Sequence, residues 1–503
     1  MTRIWIVMLS VMLTGLLFGS AGRAVDKIQE SRIAETAREM VVQNEWMVPH
    51  YNGELRLQKP PLTYWTTAVS YKIFGVSAFS ARLPSALFSL LTAWLIFTWA
   101  KREINLNVAS NIALILMTSF IGLRYFRSGE ADTTFIFFIS LACYAGFGLF
   151  ELTNKRPVWL LMLALGLGFL TKGPAAIAIP LVTIAVYGFS VKKLSDLRVL
   201  TNLTGLIIFA ITAFAWYAWI LLIMPDIAQK FFSHQVDETF ISGTHLQPIY
   251  WYLAHALEFF APWSLLLISA GIWCYKNKPL PKLVHFSLVW ISVVFVLLTL
   301  TVNKQTQYAL LLLPPLVIVL GYYLDVATGK YYQFNSVIFW LLCVAAIGVI
   351  AVAIHKKGLE VFFATDNSVV WLSMLLVPLL LKKMLKVTSP KLPVLIAAVL
   401  ATFMYLFSEQ YLTKDDGKSD IKTLMQIAIT KPSLYQAMPG NGAVSFYADR
   451  AIKPLNEEKI QLLIDAQPEL WLVSKHKPKL TNIQLSLEAQ VGDWTLWKLT
   501  KSQ

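Results

Sequence analysis

The sequence predicts an all-α polytopic membrane domain of about thirteen spanning helices, followed by a small C-terminal α/β domain outside the membrane. Three observations predict it. The chain of 503 residues is 56% hydrophobic and only 14% charged, where soluble domains carry about 25% charged residues. Apolar runs recur from Ile4 to Phe407, many as long as the roughly 20 helical residues that cross a hydrocarbon core. Beyond Phe407 the pattern changes to short alternating runs and polar stretches.

The spans fall at residues 4–22, 80–100, 108–125, 131–150, 157–170, 174–190, 200–224, 256–275, 283–301, 306–324, 334–354, 369–381 and 391–407. Residues 4–22 are read as a retained first span, since further spans follow and the run is long for a signal peptide. Arg3, Lys101–Arg102, Lys155–Arg156, Lys192–Lys193–Arg198, Lys276–Lys278–Lys282, Lys330 and Lys382–Lys383–Lys386 lie in short loops on one side, nearly free of acid. That side is cytoplasmic by the positive-inside rule. The N-terminus is then cytoplasmic, and an odd number of spans places the tail outside. The net charge of +14 is carried largely by these loops, which excludes a nucleic-acid partner. Cys143, Cys274 and Cys343 are far apart and in or beside apolar runs, so they read as buried thiols rather than metal ligands.

The membrane domain covers 1–407, with external loops at 23–79 and 225–255, and the α/β domain covers 408–503. Strand-like runs occur in the tail at 443–447, 469–473 and 494–498, and a helix-like stretch at 421–429. No internal repeat is visible, which counts against a transporter built from repeats.

The first external loop concentrates polar chemistry. Residues 29–43 have helical spacing, with Ile33, Ala34, Ala37, Met40 and Val41 on one face and Glu30, Arg32, Glu35, Arg38 and Glu39 largely on the others. Such a helix suits the membrane interface, or a solvated face with Glu/Arg pairs three apart. Asn52-Gly53 reads as a tight turn. Pro60-Pro61 stiffens the chain beside Lys59, and Tyr64 and Trp65 suit an interfacial aromatic belt.

The succession Gln29–Met40, Trp46–Gly53, Lys59-Pro-Pro61 with Tyr64-Trp65, and Ala81-Arg-Leu-Pro84 resembles the GT-C glycosyltransferases that include the lipid A aminoarabinose transferase and are related to protein O-mannosyltransferases. Glu130-Ala-Asp132, Phe169-Leu-Thr-Lys-Gly-Pro174, His245 before Pro248-Ile-Tyr-Trp-Tyr252, and Asn303-Lys304 before Tyr308 and Leu313-Pro-Pro315 extend the likeness over roughly the first 330 residues. The resemblance implies a GT-C fold and inverting transfer of a sugar from a polyprenyl-phosphate donor to lipid A, another glycolipid or a protein. It also implies that the membrane is a bacterial inner membrane, with the tail on its periplasmic side. Two positions depart from the family. Gln29 stands where the family usually has Asp, and Gln58 where it often has a metal-binding Glu. The resemblance implies a divalent metal, and the amide at 58 weakens that implication.

A phosphate leaving group needs positive charge rather than a proton. Lys59, Arg127, Lys172 and Lys304 lie at external span ends or turns, against the positive-inside trend, and are the candidate donor-phosphate cations. An acceptor hydroxyl needs a base. Glu30 and Asp132 are the candidates for it. His245, Glu130, Gln58 and Tyr308 are candidate substrate or metal contacts. Two rival readings use the same residues: a lipid-linked sugar flippase, and a catalytically altered relative that binds sugar lipids.

Overall fold

A computed structural model describes residues 23–151, 157–226, 246–328 and 420–501, apart from 26, 468, 481 and 482, together with 331, 333 and 337. The expected spans at 4–22, 334–354, 369–381 and 391–407 lie outside the described residues. The chain divides into two compact units. One holds Ala86–Arg127 and the chain from Asp132 to residue 328. The other holds residues 23–85, Ser128–Ala131 and 420–501.

The first unit is helical. Among the described residues five helices are long and apolar enough to cross a membrane: Ala78–Glu103, Asp132–Glu151, Leu203–Ile223, Lys282–Leu300 and Thr306–Val326. Shorter apolar helices fill positions expected as spans, at Leu106–Thr118, Val158–Lys172 and Ala175–Ser190. An aromatic cluster forms much of the core. Phe286 meets Phe147 edge-on at 5.4 Å and Tyr187 at 5.1 Å, and Trp99 meets Phe147 at 5.5 Å. Such edge contacts suit ring quadrupoles. By contrast, Leu206, Ile207, Ile211, Phe214, Leu221 and Leu222 of the helix Leu203–Ile223 are exposed, as on a lipid-facing helix.

Two expected spans are interrupted. The run 108–125 breaks at Ser119, whose extended backbone (φ −74°, ψ 134°) separates Leu106–Thr118 from Phe120–Tyr125. The run 256–275 divides into Ala256–Phe259, a 3-10 turn at Trp263–Leu266, and Leu267–Lys276. Pro262 is the cause there, since it has no N–H to continue the ladder. Hydropathy reports length and apolarity, so neither break changes it.

In the second unit a five-stranded mixed sheet has the order β4 (Pro454–Leu455), β3 (Leu434–Ala437), β5 (Glu469–Ser474), β7 (Trp494–Lys501), β6 (Ile483–Val491). β3 pairs in parallel with β4 and β5; β7 pairs antiparallel with β5 and β6. Leu470 and Leu472 enter one core with Ile460 and Ile464. Trp471 and Val473 enter another with Leu424 and Met425 of the helix Asp420–Ala428. Burial on both faces explains why β5 reads as a continuous apolar run.

The expected strand at 443–447 is a helix, Gly442–Ala448. Val, Phe and Tyr favour strands there, but the ends decide otherwise. The Asn441 side chain accepts from Ala443 N–H at 2.9 Å, and Asp449 closes the helix in the left-handed region (φ 51°). The first loop packs on this helix. Ser445 Oγ donates to Asn52 Oδ1 (2.7 Å), Val25 N–H donates to Tyr447 Oη (3.0 Å), and Arg38 reaches Asp449 at 3.4 Å. A Cβ on Gly442 would lie 2.5 Å from Ser31 O, so the approach needs glycine. Residues 23–79, assigned from sequence to the membrane domain, thus share a compact unit with the tail.

Candidate active site

The helix Ile28–Gln43 corrects the expectation of a solvated or interfacial polar face. Glu30, Glu35, Arg38 and Glu39 are all buried. They are buried because they are satisfied internally. Arg38 forms a two-pronged pair with Glu35, both contacts 2.8 Å. The two Glu39 oxygens accept from Gly53 N–H at 3.1 and 3.2 Å, in the Asn52-Gly53 turn joining β1 (His50–Tyr51) to β2 (Glu54–Leu55). That turn has φ of 55° and 76° at its two residues, which fits a two-residue hairpin.

Glu30 is the centre of a four-way junction. Arg82 donates to its carboxylate from Nε (2.6 Å) and Nη2 (3.0 Å), and Gly129 N–H donates to it at 2.9 Å. The same guanidinium donates to Arg23 O (2.8 Å) and Ala24 O (2.7 Å). Burial alone would raise the Glu30 pKa; the charge and hydrogen bonds of Arg82 outweigh it and hold the carboxyl at about 2. A general base works best with a pKa near the working pH. This carboxylate is therefore a weak base whose lone pairs are already engaged.

Glu130 lies in the same segment as Gly129. It is buried, takes a hydrogen bond from Ser128 Oγ on Oε1 (2.8 Å), and receives Ser85 Oγ–H on its carbonyl (3.1 Å). Lys59 and Gln58 are exposed, followed by the buried Pro60 and Pro61.

In the helical unit, Asp132 opens the helix Asp132–Glu151 and Lys172 closes Pro157–Lys172. These helices are successive and antiparallel, so the first residue of one meets the last of the next. Lys172 Nζ donates to Asp132 Oδ1 at 2.6 Å. An acid at a helix start and a base at a helix end also suit both helix dipoles. The Lys172 ammonium lies 5.3 Å from the Tyr308 ring centroid and 5.8 Å from that of Phe135. Asp132, Lys172 and Tyr308 thus come together, with the lysine side chain still 16% exposed.

Lys304 is buried and donates to the carbonyls of Thr299 and Thr301, at the C-terminal end of Lys282–Leu300. Its charge satisfies free helix-end carbonyls. Arg127 is buried just after the helix Phe120–Tyr125. His245 lies outside the described residues. Among the described residues no group of three or more His, Cys, Asp or Glu side chains stands where it could hold a metal. Gln58 supplies only an amide.

Sequence reasoning gave Arg82 no role as a charge partner. The signal was present: an arginine within an apolar run is costly and calls for a partner, and a carboxylate stood in the preceding external loop.

Residues 58–219 match the family model described as dolichyl-phosphate-mannose-protein mannosyltransferase. An uncharacterised protein of Aquifex aeolicus is 29% identical over 386 residues, 76% of this chain and 74% of that protein. The undecaprenyl phosphate-alpha-4-amino-4-deoxy-L-arabinose arabinosyl transferase 1 of Pseudomonas fluorescens is 27% identical over 67% of this chain and 61% of its own length. The crystal structure of ArnT from Cupriavidus metallidurans bound to undecaprenyl phosphate superposes with a TM-score of 0.80, at 19% identity, covering 99% of this chain and 98% of that one. This likeness shows the fold of the chain. Its GT-C fold, helical with a small C-terminal sheet region, agrees with the expected class.

Proposed function

We propose that this GT-C protein transfers a sugar, with inversion, from a polyprenyl-phosphate donor to an acceptor hydroxyl on the periplasmic side of a bacterial inner membrane. The observation that carries the reading is the Asp132–Lys172 contact of 2.6 Å beside Tyr308. Kinship supports it: ArnT of Cupriavidus metallidurans is a structure with undecaprenyl phosphate bound, and the Pseudomonas fluorescens relative is named as a transferase that uses an undecaprenyl-phosphate sugar.

The chemistry follows from the residues. The acceptor oxygen attacks the anomeric carbon, the bond from that carbon to the phosphate oxygen breaks, and the electron pair leaves with the phosphate. Lys172 stabilises that developing charge, since preorganised cations act most strongly where charge appears in the transition state. The Tyr308 ring lies beside that ammonium. Entry of the phosphate draws the ammonium from Asp132, and the freed carboxylate takes the acceptor's proton. Lys59 and Arg127 are further donor-phosphate cations in this reading. Lys304 contributes less directly, because its ammonium is engaged by helix-end carbonyls. Glu30 is engaged by Arg82 and Gly129 and is not the base in this reading.

The acceptor is a glycolipid such as lipid A, or a protein. Mass spectrometry of envelope lipids and glycoproteins, from cells with and without the gene, identifies it. Loss of one sugar mass from a defined molecule is the expected result; identical glycolipids and glycoproteins in both strains would refute the transfer.

A further inference from the structure

The tail carries a charge feature that sugar transfer does not use. From 408 to 503 it has twelve Lys and Arg against eleven Asp and Glu, so it is nearly neutral overall. Yet Lys475, Lys477 and Lys479 fall within five residues, and no acid occurs between Ser474 and Leu487. Among the described residues no ion pair engages these three lysines, whereas Lys431, Lys498 and Lys501 pair with Glu488, Glu469 and Asp465.

Sheet topology sets their geometry. β5 and β6 both pair antiparallel with β7, so they run in the same direction with β7 between them. Ser474 stands opposite Thr495, and Ile483 opposite Lys501. The link from β5 therefore returns along β7. Lys475 and His476 bend the chain, residues 477–480 follow without regular structure, and Lys475, Lys477 and Lys479 are all exposed. The segment is anchored beneath. Leu480 packs on the core of Leu455, Ile460 and Ile464. Ser474 Oγ donates to His476 O (2.7 Å) and accepts from Trp497 Nε1 (3.0 Å). The Lys475 ammonium lies 4.8 Å from the Trp494 ring centroid.

We infer that this segment is a docking element for anionic phospholipid headgroups. An anchored segment whose three exposed lysines make no ion pair with a carboxylate among the described residues fits an anionic headgroup surface. The chain is itself held in a bilayer by its apolar helices, so a headgroup surface is the polyanion at highest effective concentration. Each lysine near an anionic surface contributes roughly five-fold in partitioning, and the attraction decays within a Debye length.

The test uses the full chain in nanodiscs of phosphatidylcholine alone and of phosphatidylcholine with phosphatidylglycerol. Hydrogen exchange of the 475–480 backbone is followed by mass spectrometry. Exchange slows several-fold in the phosphatidylglycerol discs, the slowing fades at high salt, K475R/K477R/K479R keeps it, and K475Q/K477Q/K479Q loses it. Equal exchange in both discs, or slowing that persists in the glutamine variant, overturns the inference. Neither outcome bears on sugar transfer, which is assayed separately.

Discussion

Arg82 grips Glu30 through two nitrogens at 2.6 and 3.0 Å, across 52 residues of sequence, with both side chains buried. A charge so placed is retained only with its partner, because removing one member leaves the other desolvated. Glu30→Ala and Arg82→Ala are each expected to destabilise the chain by about 3–5 kcal/mol. The double variant Glu30→Leu/Arg82→Met should cost clearly less than their sum. Thermal unfolding of the detergent-solubilised protein reads all three; additive losses would show that the pair is not coupled.

Two of the three buried glutamates of the first-loop helix, Glu30 and Glu35, respond oppositely to pH. Glu30 titrates at about 2 when folded, below the ordinary 4.5. Its stabilisation is complete above pH 4.5 and is lost as pH falls towards 2. Burial pushes Glu35 up to about 8, against the opposing pair with Arg38 and with the Glu39 carboxylate adding to the rise. Its contribution is complete below pH 4.5 and is lost as pH rises through 8. Glu35→Gln should therefore lose less melting temperature than wild type between pH 6 and pH 9. Equal losses in the two proteins would remove Glu35 as the titrating group.

Asp132 is the proposed base. Asp132→Asn should reduce kcat by about 10²–10⁴-fold, with the melting temperature little changed. Glu30→Gln should leave the acid limb of the pH–rate profile where it is, since Glu30 is not the group titrating there. A shift of that limb in Glu30→Gln would reverse the two assignments.

Gly442→Ala tests the packing of the first loop on the tail. Its new Cβ would meet Ser31 O at 2.5 Å, a backbone atom that cannot swing aside. The expected cost is about 1–3 kcal/mol, measured by thermal unfolding. Asp449→Ala, which removes the 3.4 Å contact that this 79% exposed side chain makes with Arg38, should cost under about 1 kcal/mol.

Much of the architecture was legible because one physical quantity dominates it. Length and apolarity mark a span whatever it packs against, so the helices at 78–103, 132–151 and 203–223 fall where hydropathy puts them. The interruption at Pro262 escaped, since local backbone breaks leave hydropathy unchanged. The polar side of 28–43 misled for a different reason. A periodic row of Glu and Arg looks the same whether water or an opposite charge satisfies it, and Arg82 and Asp449, which supply part of that charge, are distant in sequence. At 443–447 the residue types favoured a strand, while a cap at Asn441 and a left-handed Asp449 made a helix. Within the candidate site, Asp132, Lys172 and Tyr308 were each singled out from sequence. Their proximity was not, because it depends on two helices folding back antiparallel and on a third segment 136 residues beyond Lys172.

The most direct measurement is transfer of a labelled sugar from a polyprenyl-phosphate donor by proteoliposomes containing the chain, with Lys172→Gln beside wild type. The phosphate-stabilising role predicts label covalently attached to the acceptor by wild type, and at least about 10²-fold slower transfer by the variant at matched protein. Equal transfer by both proteins would contradict it.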